Sequence, residues 1–290
     1  MQKRRLGRTA LEISPIGLGA APFGYVNKAT GWDPWSTDGR RAALATINYA
    51  LDQGINYLDT APAYGAGHAE ALIGEVMSRR RDECFLASKV WLDLDKKGVI
   101  ESVHDSLKRL KTDHIDVIQV HGRMYTNEQY KHIFDGGLLE GLLDLQSAGK
   151  VRFLGLTADE PWTVIPFLAH PEFSVYQVAY NFIYQGAARH FLPEAKVADI
   201  GVVTMRTMTS GVLQRAAQYL APEWTRDQLF DVSLKFVLGD SRVHSGLVGM
   251  RSVEEVDQNV RIARTWNPPI DLANLPRLTG EIYKAEDSGN

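Results

Sequence analysis

Along the chain, short apolar runs alternate with longer stretches in which apolar residues recur every three or four positions. The short runs fall at residues 14–19, 55–59, 84–89, 115–121, 151–157, 175–178, 201–206 and 243–249. Each is bounded by Gly, Asp or Pro, and several are rich in β-branched residues, the pattern of strands buried on both faces. The longer stretches predict helices over 40–53, ending at Gly54, and 98–110, with Val99, Val103, Leu107 and Leu110 on one face. Further helices are predicted over 138–148, ending at Gly149, over 225–238 with Thr225 as N-cap, and over 252–263. The last opens with Ser252 and Glu255 spaced as a capping box.

Strands that alternate this regularly with helices predict a parallel α/β sheet, either doubly wound or closed. About eight units without a break in composition favour the closed (β/α)8 TIM barrel. The first strand also lacks a dinucleotide fingerprint. Gly17-Leu18-Gly19-Ala20-Ala21-Pro22 has the wrong third position and a proline where a helix should open. The stretch 4–13, with Gly7 near its middle, is expected to form an N-terminal β-hairpin plugging the barrel floor. No linker, repeat or low-complexity tract interrupts residues 1–290, so a single domain is expected.

A net charge of −3 and a pI near 6.2 point away from a nucleic-acid or anionic-membrane partner. Cys84 is the only cysteine, which rules out an internal disulfide and fits a reducing compartment. The basic start Met1–Arg5 is followed by no apolar run of signal-peptide length, so a cytoplasmic protein is expected. The eight histidines show no metal-ligand spacing, and no metal is expected.

Barrel enzymes carry their chemistry at the carboxyl ends of the strands. Those ends read Asp59, Lys89, His121, Thr157, Gln177 and Arg206, with Tyr64 just beyond Asp59. An Asp, a Lys, a Tyr and a His at successive βα junctions form a usable proton-transfer constellation. A tyrosine, with a pKa of about 10, holds its proton at neutral pH and can supply it. An ammonium at Lys89 would favour the phenolate and lower that pKa. Asp59 would keep Lys89 charged, and His121 could hydrogen-bond an oxygen on which charge develops.

The run Asn56-Tyr57-Leu58-Asp59-Thr60-Ala61-Pro62-Ala63-Tyr64-Gly65, with Glu70 and Gly74 beyond it, resembles the signature of the aldo-keto reductases. Ser88-Lys89-Val90, Asp116-Val117-Ile118-Gln119-Val120-His121, Gln177-Val178-Ala179-Tyr180-Asn181 and Gly249 with Asn259 follow in that family's order. The resemblance implies a catalytic tetrad of Asp59, Tyr64, Lys89 and His121 and a nicotinamide cofactor, NADP(H) ahead of NAD(H). It places the cofactor on Gly19, Ala20, Asp59, Thr157, Gln177, Met205, Arg206, Gly249, Arg251, Gln258 and Asn259.

The chain departs from the family at three places. Thr157-Ala158 stands where a Ser-Asn pair holds the carboxamide, leaving Asp159 or water to replace the amide. Met205 stands where an aromatic stacks on the nicotinamide. Glu255 stands where many members have a base for the 2′-phosphate, and it could oppose a phosphate, accept from a ribose hydroxyl or serve only as a cap. Phe23, Tyr25, Trp91 and Tyr125, with Trp32 and Trp35, are candidates to line a pocket for a small carbonyl or alcohol substrate: a sugar, quinone or aryl compound. The short tail after Asn267-Pro268-Pro269 suggests an open pocket. Two other readings stay open: a nicotinamide-binding regulatory or redox-sensing barrel without turnover, and a cofactor-independent lyase or epimerase with Lys89 or His121 as base.

Overall fold

The computed structural model describes residues 1–268 and 271–274, so Pro269 and most of the tail lie outside the described residues. Eight parallel strands close on themselves: β3 (Ile16–Gly19), β4 (Tyr57–Asp59), β5 (Phe85–Trp91), β6 (Ile115–His121), β7 (Val151–Ala158), β8 (Phe173–Ala179), β9 (Gly201–Met205) and β10 (Ser245–Val248). β10 pairs with both β9 and β3, which completes the barrel. This is the (β/α)8 architecture the alternation predicts.

Side chains on a strand alternate between faces, so every strand contributes one parity to the barrel interior and the other to the helices. Leu58, Leu86, Ile118, Leu154, Tyr176 and Val202 face outward into the large core shared with the helices. Tyr57, Ala87, Val117, Val175, Val203 and Leu247 face inward and form a separate apolar layer. Two residues further along the same inward parity come Asp59, Lys89, Gln119, Gln177 and Met205. The polar residues at the top therefore rest directly on the apolar layer.

Below that layer sits the expected plug. β1 (Arg4–Arg5) and β2 (Glu12–Ile13) pair antiparallel, and Leu6, Leu11 and Ile13 belong to the inner apolar cluster. Gly7 lies at φ +48° against β9, where an added Cβ would come within 2.3 Å of the Gly201 nitrogen.

The helices that shape the site are α1 (Thr37–Asp52), α2 (His68–Arg80), α3 (Lys96–Leu110), α4 (Asn127–Asp135) and α5 (Leu138–Ser147) in the first half. The second half has α6 (Gly186–His190), α7 (Leu192–Val197), α8 (Val212–Leu220), α9 (Arg226–Leu238) and α10 (Val253–Thr265). α1 starts three residues before the predicted boundary, because Ser36 accepts from the Gly39 N–H and caps it there. Thr225 caps α9 through a full capping box with Gln228. At α10 only half of the expected box forms. Ser252 accepts from the Glu255 N–H, but the Glu255 carboxylate turns to the Arg251 N–H at 2.7 Å.

α2 crosses α3 closely at Gly74, where a Cβ would stand 2.1 Å from the Arg109 carbonyl oxygen. Gly74→Ala should therefore destabilise the protein by roughly 1–3 kcal/mol, read as a lower urea midpoint with an unchanged slope. An unshifted midpoint would show that the two helices can separate at no cost.

Candidate active site

β4 ends at Asp59, β5 carries Lys89 two residues before its end, and the register sets Lys89 opposite Gln119 on β6. Lys89 is 1% exposed. Its ammonium donates to both Asp59 carboxylate oxygens at 2.8 Å, to the Thr60 carbonyl at 2.8 Å and to the Tyr64 hydroxyl at 3.3 Å. Burial alone would lower the Lys89 pKa, but Asp59 and Tyr64 together outweigh it and the pKa rises, so the ammonium stays charged. Asp59 takes two further donors, Gln119 Nε2 at 3.2 Å and Gln177 Nε2 at 3.5 Å.

Tyr64 sits on a turn formed by three consecutive residues with positive φ, Gly65, Ala66 and Gly67. Left-handed backbone suits the two glycines and is strained at Ala66. Gly24 is required beneath the turn, since a Cβ there would lie 2.4 Å from the Tyr64 carbonyl carbon. The expectation that Lys89 lowers the Tyr64 pKa holds for the pair interaction but not for the sum. Burial raises the phenol pKa, and Lys89 offsets only part of that. Tyr64 accordingly holds its proton at neutral pH.

His121 stands edge-on to the Tyr64 ring at 6.3 Å and is stacked by Trp91 at 5.4 Å. Burial, with the Lys89 charge adding to it, pushes its ring pKa down to about 4. Tyr25 meets Tyr64 edge-on and hydrogen-bonds the Ala63 carbonyl at 2.8 Å. Tyr25 and Trp91 are both about half exposed beside these rings, and neither lines the cavity that opens here, against the expectation for both.

From this cluster a cavity of about 780 Å³ runs past Gly19, Thr157, Gln177 and Met205 to Gly249, Arg251, Gln258 and Asn259. A model of the aldo/keto reductase family matches residues 15–229. The chain belongs to the aldo/keto reductase family. This family member is similar in sequence to the aldo-keto reductase YhdN of Bacillus subtilis, 30% identical over 226 residues, 73% of this chain and 64% of the relative. In structure it is similar to the holo form of an aldo-keto reductase from Bacillus halodurans, with TM-score 0.76, 25% identity and coverage of 95% and 94% of the two chains. It shares its fold with a Klebsiella pneumoniae aldo/keto reductase solved with NADP and acetate, with TM-score 0.74, 22% identity and coverage of 96% and 95%.

Several expected contacts of this aldo/keto reductase fall elsewhere. Phe23 is fully buried beside Trp32, and Tyr125 is buried with its hydroxyl on the Val120 and Thr157 carbonyls, so neither lines the cavity. Trp32 gives its indole N–H to the Pro22 carbonyl, and Trp35 stacks on His68. Ala20 is likewise buried. The Thr157 hydroxyl lies in the cavity wall but is spent on Gly122, donating to its carbonyl and accepting from its N–H. Arg206 clasps Asp159 at 2.7 Å and 3.1 Å, so Asp159 is occupied as well.

Gln119 escaped the reading of the sequence. Its signal was there: it shares the inward parity of Val117 and His121, while Ile118 and Val120 on the other parity belong to the outer core. Gly155 opposite leaves room for it, since a Cβ there would lie 3.1 Å from Gln119 Cγ. Asn27, Gln214, Arg215, Arg226 and Phe230 also line the cavity from loops and helices that no motif marks.

With an ordinary value of 6.5 displaced to about 4, the His121 ring stays neutral throughout the physiological range. A ring resonance followed by NMR should titrate near pH 4. Because the unfolded chain takes up that proton first, His121 should also cost stability progressively as the pH falls from about 6.5 to 4. Titration at the ordinary value would show that the ring is open to water.

Proposed function

We propose that this aldo/keto reductase interconverts an aldehyde or ketone and its alcohol, using a nicotinamide dinucleotide and Tyr64 as general acid and base. The observation that carries the reading is the buried Asp59–Lys89–Tyr64 chain beside a neutral His121 at the end of a long cationic cavity. When bound, the nicotinamide supplies or takes up the hydride at the carbonyl carbon.

The residues present fit such a cofactor. Six cationic side chains (Lys89, Arg123, Arg206, Arg215, Arg226 and Arg251) line the cavity against three anionic ones (Asp59, Asp159 and Glu255). The whole chain has a net charge of −3, so this is a local reversal suited to phosphates. Arg251 Nε and Gln214 Nε2 are buried donors without a partner among the described residues, and both residues belong to the lining. An orphaned donor of this kind costs free energy until it finds an acceptor. Gly249 has no room for a side chain, since a Cβ would lie 2.7 Å from Pro22 Cγ. Gly19, Gln177, Met205, Arg251, Gln258 and Asn259 would hold the dinucleotide. NADP(H) is favoured over NAD(H) by the cationic surplus, and the NADP complex of the Klebsiella protein supports it. Glu255 does not argue against it, because its carboxylate is engaged by the Arg251 backbone.

Each tetrad side chain has one task. Tyr64 gives its hydroxyl proton to the alkoxide oxygen as it forms, and takes it back in the oxidation. The Lys89 ammonium stabilises the resulting phenolate at 3.3 Å. Asp59 keeps Lys89 charged and in place. The neutral imidazole of His121 can donate a hydrogen bond to the carbonyl oxygen without competing with Tyr64 for the proton. A lyase or epimerase would leave the cationic half of the cavity without a purpose.

Titrating the protein with NADPH and then NADH, followed by quenching of tryptophan fluorescence, should give saturable binding with NADPH the tighter. Tyr64→Phe should keep that affinity within a few-fold while reductase turnover falls by roughly 10²–10⁴. Lys89→Met should lose turnover comparably. Absence of binding in folded protein, or turnover that survives Tyr64→Phe, would overturn the assignment.

A further inference from the structure

The loops after β6 and β7 are stitched together above the catalytic cluster. The Thr157 hydroxyl ties both backbone groups of Gly122, and the Glu160 N–H donates to the Arg123 carbonyl at 3.0 Å. Gly122 is required there, because a Cβ would lie 2.4 Å from the Tyr125 ring. These bonds fix the backbone of Arg123 two residues beyond His121, on the wall of the same cavity.

The Arg123 guanidinium donates through Nε to Asp159 at 3.0 Å, and Arg206 holds the same carboxylate with two bonds. Burial works to raise the Asp159 pKa, but Arg206 and Arg123 outweigh it, so the carboxylate stays ionised. One anion thus serves two cations, and a surplus positive charge remains beside the catalytic residues.

The two arginines are not equivalent. Arg206 is committed: its backbone is held at φ +57° by Asn181 and Thr209 on its carbonyl, and its guanidinium grips Asp159 along one edge. The Arg123 side chain is 83% exposed, and its two Nη groups have no hydrogen-bond partner among the described residues. An ion pair this exposed contributes little to stability. Asp159 instead steers the guanidinium, leaving its terminal edge to present two parallel N–H donors, the geometry that matches a carboxylate.

We infer that Arg123 makes this site selective for carbonyl substrates that carry a carboxylate, which its free edge binds while Tyr64 and His121 engage the carbonyl oxygen. The inference rests on the reductase reading above and adds the substrate class. It also accounts for the departure at Thr157-Ala158-Asp159. There the Thr157 hydroxyl, which the resemblance placed on the cofactor, and the Asp159 carboxylate, one of two candidates to replace the lost amide, serve to build the Arg123 platform.

The test uses two aldehydes of similar size that differ in charge, 4-carboxybenzaldehyde, ionised at neutral pH, and methyl 4-formylbenzoate, whose ester makes it intrinsically the more electrophilic, both reduced with NADPH. The free acid should have the higher kcat/KM by about tenfold or more, and the advantage should shrink as salt rises. In Arg123→Gln the ratio should fall to about one or below, mainly through KM of the acid, while Arg123→Lys should retain part of it. Equal kcat/KM for acid and ester in the unaltered protein, or a preference that survives Arg123→Gln, would overturn the inference with the reductase reading intact. If neither aldehyde is reduced by folded protein that binds NADPH, the reductase reading itself fails, and the inference fails with it.

Discussion

An ammonium group buried inside a barrel is the constraint around which this molecule is arranged. Taking Lys89 out of water costs several kcal/mol unless partners replace the water. Here the replacement is complete: two oxygens of Asp59, the Thr60 carbonyl and the Tyr64 hydroxyl surround the nitrogen. Asp59 is buried in its turn, and Gln119 and Gln177 share its charge. The barrel register places these groups on neighbouring strands, so the polar layer and the strand pairing support each other. Removing Asp59 alone would leave an uncompensated buried charge, whereas Tyr64 sits at the accessible end of the chain where a proton can leave.

That arrangement needs a dry floor. The inner layer of Tyr57, Ala87, Val117, Val175, Val203 and Leu247, closed by Leu6, Leu11 and Ile13 of the hairpin, keeps water from reaching Lys89 from below. Low polarisability around the site strengthens each charge interaction and pushes His121 toward its neutral form. The hairpin lies far from the chemistry in the chain and supports it only through this exclusion.

Above the polar layer, the site is shaped by where the chain departs from its family. Thr157, Asp159 and Arg206 are tied to Gly122, Arg123 and one another, so they act as scaffold for the wall near His121. The far end of the cavity, around Gly249 and Arg251, keeps unpartnered donors and a cationic surplus. The two ends therefore differ in character: one is tied together by its own ion pairs and hydrogen bonds, and the other awaits acceptors.

Local pattern determined much of this. Eight buried strands, the hairpin, the caps at Thr225 and Ser252 and the residues at the strand ends were legible because burial on both faces, period 3.6 and capping chemistry act over a few neighbouring residues. The cluster of Asp59, Lys89, Tyr64 and His121 was legible for the same reason, since its members lie at or just beyond the ends of apolar runs. Tertiary structure decided the rest. Whether Phe23 and Tyr125 face a cavity or a core depends on how loops fold over strands, and both turned inward. Whether Lys89 or burial prevails at Tyr64 depends on how many atoms enclose the phenol. That Asp159 would be claimed by Arg123 and Arg206 could not be read from positions 36 and 47 residues apart. Sequence spacing specifies which face a side chain takes, but partnership between loops is set only when the closed barrel brings their ends to one rim.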